Sequence, residues 1–272
     1  MWRLAVVVAA LALPGCAGSD DENTRTVVAA FYPLAWAAER VGGDGIDVLN
    51  LTPAGAEPHD LELSPRDVED VRDAELVLYA SGGFQPAVED AVETRDGRSL
   101  DVLRLSESDP HVWLDPRRFA TVADQIAGEL GRPAGAREVG SALEMLDAEY
   151  RRGLERCARR TIVTTHAAFR HLATRYGLTQ LSLAGSSPES DPAPRELELL
   201  VERVRASGAT TVFAEPLVSD RLAETVAREA GVTVATLDPL EGLSEERLDA
   251  GEDYLTVMRD NLAALRTALE CR

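Results

Sequence analysis

The 272-residue chain has no lysine: its 28 basic side chains are all arginine, against 47 acidic ones, and the formal charge is -19. That balance excludes nucleic acid as a partner, because neutralising phosphates takes a basic surface. It suits a cationic partner, although acidity reports first on solubility. Aromatic residues are scarce at 5%, so the core must be built mainly from valine, leucine and alanine. His-Glu-x-x-His, Gly-x-Ser-x-Gly and the phosphate-binding P-loop are all absent, which removes the commonest signatures of metalloprotease, serine hydrolase and nucleotide chemistry. No internal repeat is apparent, and Ser186 to Pro194 is the one low-complexity stretch. With 45% hydrophobic and 28% charged residues, the composition is that of a folded soluble protein. The length exceeds what one core usually holds, so two lobes are expected.

Long apolar runs are also missing. The longest is Leu4 to Leu13, preceded by Met1-Trp2-Arg3 and followed by Pro14-Gly15-Cys16. It is too short to span a bilayer and reads as a signal peptide over residues 1–15. The small residue before Cys16 resembles a bacterial lipobox, which makes Cys16 the acylated first residue of the mature protein; cleavage of a plain secretory signal is the alternative. Residues 16–25 then form a polar tether from the membrane to the folded part. The remaining cysteines, Cys157 and Cys271, are expected to form a disulfide outside the cytoplasm, with two unrelated buried thiols as the alternative.

Beyond the tether, β-branched runs alternate with helically spaced ones, first through about residue 92 and again from Thr161 onward. The alternation predicts α/β architecture with mostly parallel sheets, whose ligands gather at the carboxyl ends of strands. Between the two halves, Phe119 to Leu130 and Ala134 to Leu154 are almost purely helical. The expected organisation is an N-terminal α/β lobe over 26–130, a bridging helix over 131–158 and a C-terminal α/β lobe over 159–272.

Three of the four histidines stand where loops should meet strands: His59 in Glu57-Pro58-His59, His111 in Asp109-Pro110-His111, and His166 in Thr165-His166-Ala167. Asp238, directly after the last predicted strand, adds a carboxylate. Imidazole nitrogen and carboxylate oxygen suit zinc, and four such donors close a tetrahedron. Any one of these residues alone more commonly serves structure; their joint placement, two in each lobe, carries the reading of one ion held in the interlobe cleft. His171 lies on the same predicted helix as His166 but is turned away from it, and is read as structural.

These residues resemble the zinc- and manganese-uptake solute-binding proteins of bacterial ABC transporters, the ZnuA and TroA type. The matching stretches are Phe31-Tyr32-Pro33-Leu34, Glu57-Pro58-His59, Asp109 to Pro116, Thr165 to Phe169, Phe213-Ala214-Glu215-Pro216 and Leu237-Asp238-Pro239-Leu240. The resemblance implies two (β/α) lobes joined by a long rigid helix, with the metal site in the cleft. It implies His59, His111 and His166 as nitrogen ligands, with Asp238 as the fourth ligand or a near neighbour. It also implies a lipid-anchored, monomeric extracytoplasmic protein that is not an enzyme and delivers its ion to a membrane permease. Where manganese-preferring relatives carry Glu at the third position, this chain has His166, which favours Zn2+, with Mn2+ as the alternative cargo and a zinc-dependent hydrolase as the rival function. Glu215 has three open readings: orienting a ligand imidazole, replacing Asp238 on the ion, or capping the helix that follows. Glu57 reads as a cleft-surface charge. The chain lacks the His-rich loop seen in several zinc relatives, and it departs from the family after the first ligand, reading Asp60-Leu61-Glu62-Leu63.

Overall fold

The computed structural model describes residues 25–105, 109–185 and 193–272. The predicted signal peptide, Cys16 and nearly all of the tether lie outside the described residues. Among those described, no helix is long and apolar enough to cross a membrane.

Two four-stranded, all-parallel sheets form the framework. The first contains β1 (Arg25–Ala29), β2 (Ile46–Asn50), β3 (Leu76–Tyr79) and β4 (Arg98–Asp101) in the order β2-β1-β3-β4. The second contains β5 (Thr161–Thr164), β6 (Thr179–Ser182), β7 (Thr211–Ala214) and β8 (Thr233–Thr236) in the order β6-β5-β7-β8. The two orders repeat one topology, and in each the chain direction across the sheet reverses between the two central strands, where ligand crevices form. The chain therefore has the α/β two-lobe fold its alternating pattern predicts.

The central strands are buried runs of valine, leucine and alanine, as parallel strands covered on both faces must be: Val27, Val28 and Ala29 in β1, and Leu76, Val77 and Leu78 in β3, are all fully buried. The edge strand β4 reads Arg-Ser-Leu-Asp, with Arg98 and Ser99 exposed and Leu100 and Asp101 half-buried. It carries no apolar run, and the sequence reading accordingly did not anticipate it.

The helices follow from local signals. After α1 (Tyr32–Gly42), helix α2 (Pro65–Asp73) opens with Ser64 and Asp67 exchanging side-chain and backbone hydrogen bonds, a device worth about 1 kcal/mol. Then come α3 (Pro86–Glu93) and α4 (Pro116–Leu130), which stops at Gly131 with φ of 69°; the left-handed turn there lets the chain restart as α5 (Pro133–Leu154). At 22 residues α5 is about 33 Å long. It lies close against α1: a Cβ on Gly135 would stand 2.1 Å from the Val41 carbonyl oxygen.

In the second half, α6 (Arg170–Tyr176), α7 (Pro194–Ser207), α8 (Arg221–Ala230), α9 (Glu245–Asp249) and α10 (Tyr254–Ala268) complete the order. Gly251, at φ of 81°, turns the chain between α9 and α10. Helix α10 crosses back to the first half: Tyr254 donates its hydroxyl to the Trp113 carbonyl at 2.6 Å, and Tyr150 donates to the Met258 carbonyl at 2.6 Å. Leu237, Leu240, Leu243 and the buried face of α10 thus share one apolar core with β1, β3, α1, α4 and α5. A smaller core lies under α7 and α8. Cys157 and Cys271 form a disulfide that ties the end of the bridging segment to the C-terminus.

Candidate metal centre

Four side chains from separate loops meet at one point. His59 lies on the short turn Pro58–Asp60 after β2, His111 in the segment after β4, His166 two residues beyond β5, and Glu241 five residues beyond β8. All four follow carboxyl ends of strands, and both sheets contribute. Their donor atoms lie within 4.8 Å of one another. Glu241 Oε1 stands 2.9 Å from His111 Nε2, 3.3 Å from His166 Nε2 and 3.5 Å from His59 Nε2. The cluster is closed to solvent: the side chains of His166, His111 and Glu241 are 0%, 1% and 2% exposed.

The far sides of two imidazoles are held by carboxylates. Asp109 Oδ1 accepts from the His111 backbone N at 3.2 Å and lies 2.7 Å from its Nδ1. Glu215, immediately after β7, brings Oε2 to 2.5 Å from His166 Nδ1, off the line of a straight hydrogen bond. Its Oε1 accepts from the His166 backbone N at 3.1 Å and from the Thr165 hydroxyl. A carboxylate on Nδ1 fixes the tautomer in which Nε2 presents its lone pair inward. Glu215 thus stands beside His166 and outside the four-residue cluster. His59 is placed differently, by T-shaped packing with the Phe84 ring at 4.5 Å between centroids and by Glu57 Oε1, which accepts from its backbone N at 3.3 Å. Its buried Nε2 has no hydrogen-bond partner, as a donor atom aimed at a cation would have none.

The electrostatics tell the same story. Burial opposes charge on His111, His166 and Glu241, yet the neighbouring Glu215 and Glu241 carboxylates override it at His166 and raise its pKa to about 10. His111 is likewise raised against burial, by Asp109 and Glu241. Burial pushes Glu241 up, but the three imidazoles overcome that and hold it well below the usual carboxylate range. Glu57 is pushed up to about 7 by burial and by the charge of Glu241. Without an ion, protons supply the positive charge that these carboxylates demand.

Asp238, expected at the fourth position, is not in this cluster. Both of its oxygens are engaged elsewhere: Oδ1 accepts from the Leu240 backbone N at 2.7 Å and Oδ2 takes Arg247 Nη1 at 2.6 Å. The fourth member is the carboxylate of Glu241, three residues further along the same loop. The sequence carried no signal that separates the two, since the pairing of Asp238 with Arg247 appears only in the structure. His171 stands outside the cluster and donates Nε2 to the Asp109 carbonyl at 3.0 Å. It is not on a helix with His166, because α6 begins only at Arg170.

A family model described as ZnuA, zinc-uptake complex component A, periplasmic, matches residues 27–268. The chain belongs to the ZnuA family. Among its ZnuA-like relatives, the zinc-binding protein AdcA of Streptococcus pyogenes serotype M1 is 32% identical over 288 residues, covering 90% of this chain and 56% of the relative. The chain thus spans little more than half the length of that protein. The high-affinity zinc uptake system protein ZnuA of Bacillus subtilis strain 168 is 30% identical, with 98% of each chain covered. The solved structure of the laminin-binding protein Lmb of Streptococcus agalactiae, described as a bifunctional protein with adhesin and metal transporting activity, superposes with a TM-score of 0.81. It is 32% identical and covers 90% of this chain and 99% of its own.

Proposed function

We propose that this chain captures one Zn2+ outside the cytoplasm, on His59, His111, His166 and Glu241, and delivers it to the permease of an ABC importer. One observation carries the reading. Three imidazole Nε2 atoms converge on a single Glu241 oxygen at 2.9, 3.3 and 3.5 Å, and the edge of a tetrahedron with zinc bonds of about 2.0–2.1 Å is about 3.3 Å. Three imidazoles and one carboxylate favour zinc over manganese, which prefers oxygen donors.

Four protein donors fill a tetrahedron and leave no position for an activated water, so the site is suited to holding an ion rather than to hydrolysis. Because the donors come from loops of both sheets, movement of the lobes 26–130 and 159–272 about the bridge 131–158 releases the ion without unfolding either. In this reading the protein acts as a monomer, anchored to the membrane through acylated Cys16.

Metal analysis of the protein purified without added metal, with zinc and manganese in direct competition, tests the proposal. One equivalent of zinc that manganese does not displace, lost in Glu241→Ala, is expected. A manganese preference would overturn the ion assignment, and full zinc binding by Glu241→Ala would overturn the ligand set.

A further inference from the structure

The loop that presents Glu241 is fastened at almost every residue. Asn261, buried on α10, accepts from the Asp238 backbone N through Oδ1 at 2.8 Å and donates Nδ2 to the Asp238 carbonyl at 2.7 Å. Trp113 donates its indole N–H to the Pro239 carbonyl at 2.7 Å. The Leu243 carbonyl accepts from Gly55 N at 2.9 Å. Between these anchors Leu240, fully buried, holds φ of 58°. A branched apolar residue avoids the left-handed region, and it persists there only when the surroundings over-determine it. Beside it stands Asp238, whose Oδ1 takes the Leu240 N–H at 2.7 Å while its Oδ2 is pinned by Arg247 at 2.6 Å; Arg247 is in turn held by Glu252 at 2.8 Å. The residue that follows this turn is Glu241. Asp238 has no role in opening α9, which is capped by Ser244.

We propose that Asp238 is a positioning residue for the metal site. It accepts the Leu240 N–H, and so holds the left-handed turn that aims the Glu241 carboxylate at the three imidazoles, while Arg247 fixes the Asp238 rotamer. If Leu240 relaxed to an extended conformation, the chain direction at residue 241 would swing and the carboxylate would leave the cluster. The inference rests on the ligand set proposed above and adds to it the device that sets the fourth ligand.

The test compares zinc affinity, by competition with a chromophoric chelator, for the wild type and the D238A, D238N, R247Q and E241A proteins. Co2+ absorption spectra and apo melting temperatures are recorded for each. D238A is expected to bind one zinc about 10–100-fold more weakly, the range typical of a group acting through a ligand, with an altered Co2+ spectrum. D238N keeps an Oδ1 acceptor but loses the ion pair with Arg247, so its affinity should fall between those of the wild type and D238A. R247Q, at a partly exposed site, should weaken binding by at least about threefold and keeps the test available if D238A does not fold. Wild-type affinity in D238A or R247Q, with E241A impaired, overturns the positioning role and leaves the ligand set standing. D238N as weak as D238A shows that charge rather than acceptance matters and also overturns it. Wild-type affinity in E241A overturns the ligand set beneath both.

Discussion

Zinc capture at neutral pH must expel protons, and the number expelled distinguishes this site from three ordinary histidines. The perturbation is a change of pH from 6.5 to 8.5. His166 is raised to about 10 by Glu215 and Glu241, so at pH 7.5 it is almost fully protonated in the metal-free protein, and His111 is shifted the same way. Coordination requires the neutral ring. Emptying a site of pKa about 10 at pH 7.5 weakens apparent affinity by about 300-fold relative to the alkaline limit, or about 3.4 kcal/mol at 1.36 kcal/mol per unit. Three imidazoles at the ordinary value of about 6.5 would together release only about 0.3 proton at that pH. Calorimetric titration with zinc in buffers of different ionisation enthalpy gives the proton count directly. At least about one proton per ion is expected, with affinity rising about tenfold per pH unit across the range. A release near 0.3 and a flat affinity above pH 7 would refute the reasoning.

The same shifts set the stability of the metal-free protein. A histidine raised from about 6.5 to about 10 stabilises the fold fully below pH 6.5 and loses that contribution as pH rises through 10, so the melting-temperature gain on adding zinc should widen from pH 6.5 upward; a constant gain would contradict it. Glu215→Gln leaves the metal donors in place but weakens the hold on His166 Nδ1, and should cost about 10–100-fold in zinc affinity by chelator competition. Reducing the Cys157–Cys271 disulfide, which closes a separation of 114 residues, should cost about 5 kcal/mol in denaturant unfolding by the chain-entropy argument while zinc affinity stays unchanged. Chelation should remove the ion with far-ultraviolet circular dichroism preserved, because both sheets are held by apolar cores whose side chains do not bind the ion; Trp113, whose ring lies 5.1 Å from that of His111, should report the loss in its fluorescence.

The fold was legible where burial wrote a pattern and illegible where it did not. Strand β5 at Thr161–Thr164 is a largely buried run of β-branched residues, and α5 keeps helical spacing throughout, so both could be read from residues alone. Strand β4 is polar because it lies at a sheet edge, and α9 is too short to show periodicity. His166 was legible because it stands just after strand β5, where loops collect ligands, and His59 and His111 through the stretches Glu57-Pro58-His59 and Asp109-Pro110-His111 that resemble the family pattern. Glu241 was not, and Asp238 took its place, because the choice depends on one backbone angle. Leu240 at φ of 58° turns the chain between them, and nothing in its side chain announces a left-handed turn. That conformation is imposed by Asp238 and the partners that anchor the loop, a tertiary effect that local propensity does not encode.

The central claim is that one zinc ion sits on three imidazoles and the Glu241 carboxylate. Diffraction from zinc-loaded crystals on either side of the zinc absorption edge tests it most directly. The account predicts a single anomalous peak among His59, His111, His166 and Glu241, with three nitrogen bonds and one carboxylate oxygen bond of about 2.0–2.2 Å. A peak bound by Asp238 in place of Glu241, or a zinc ion outside this cluster, would contradict it.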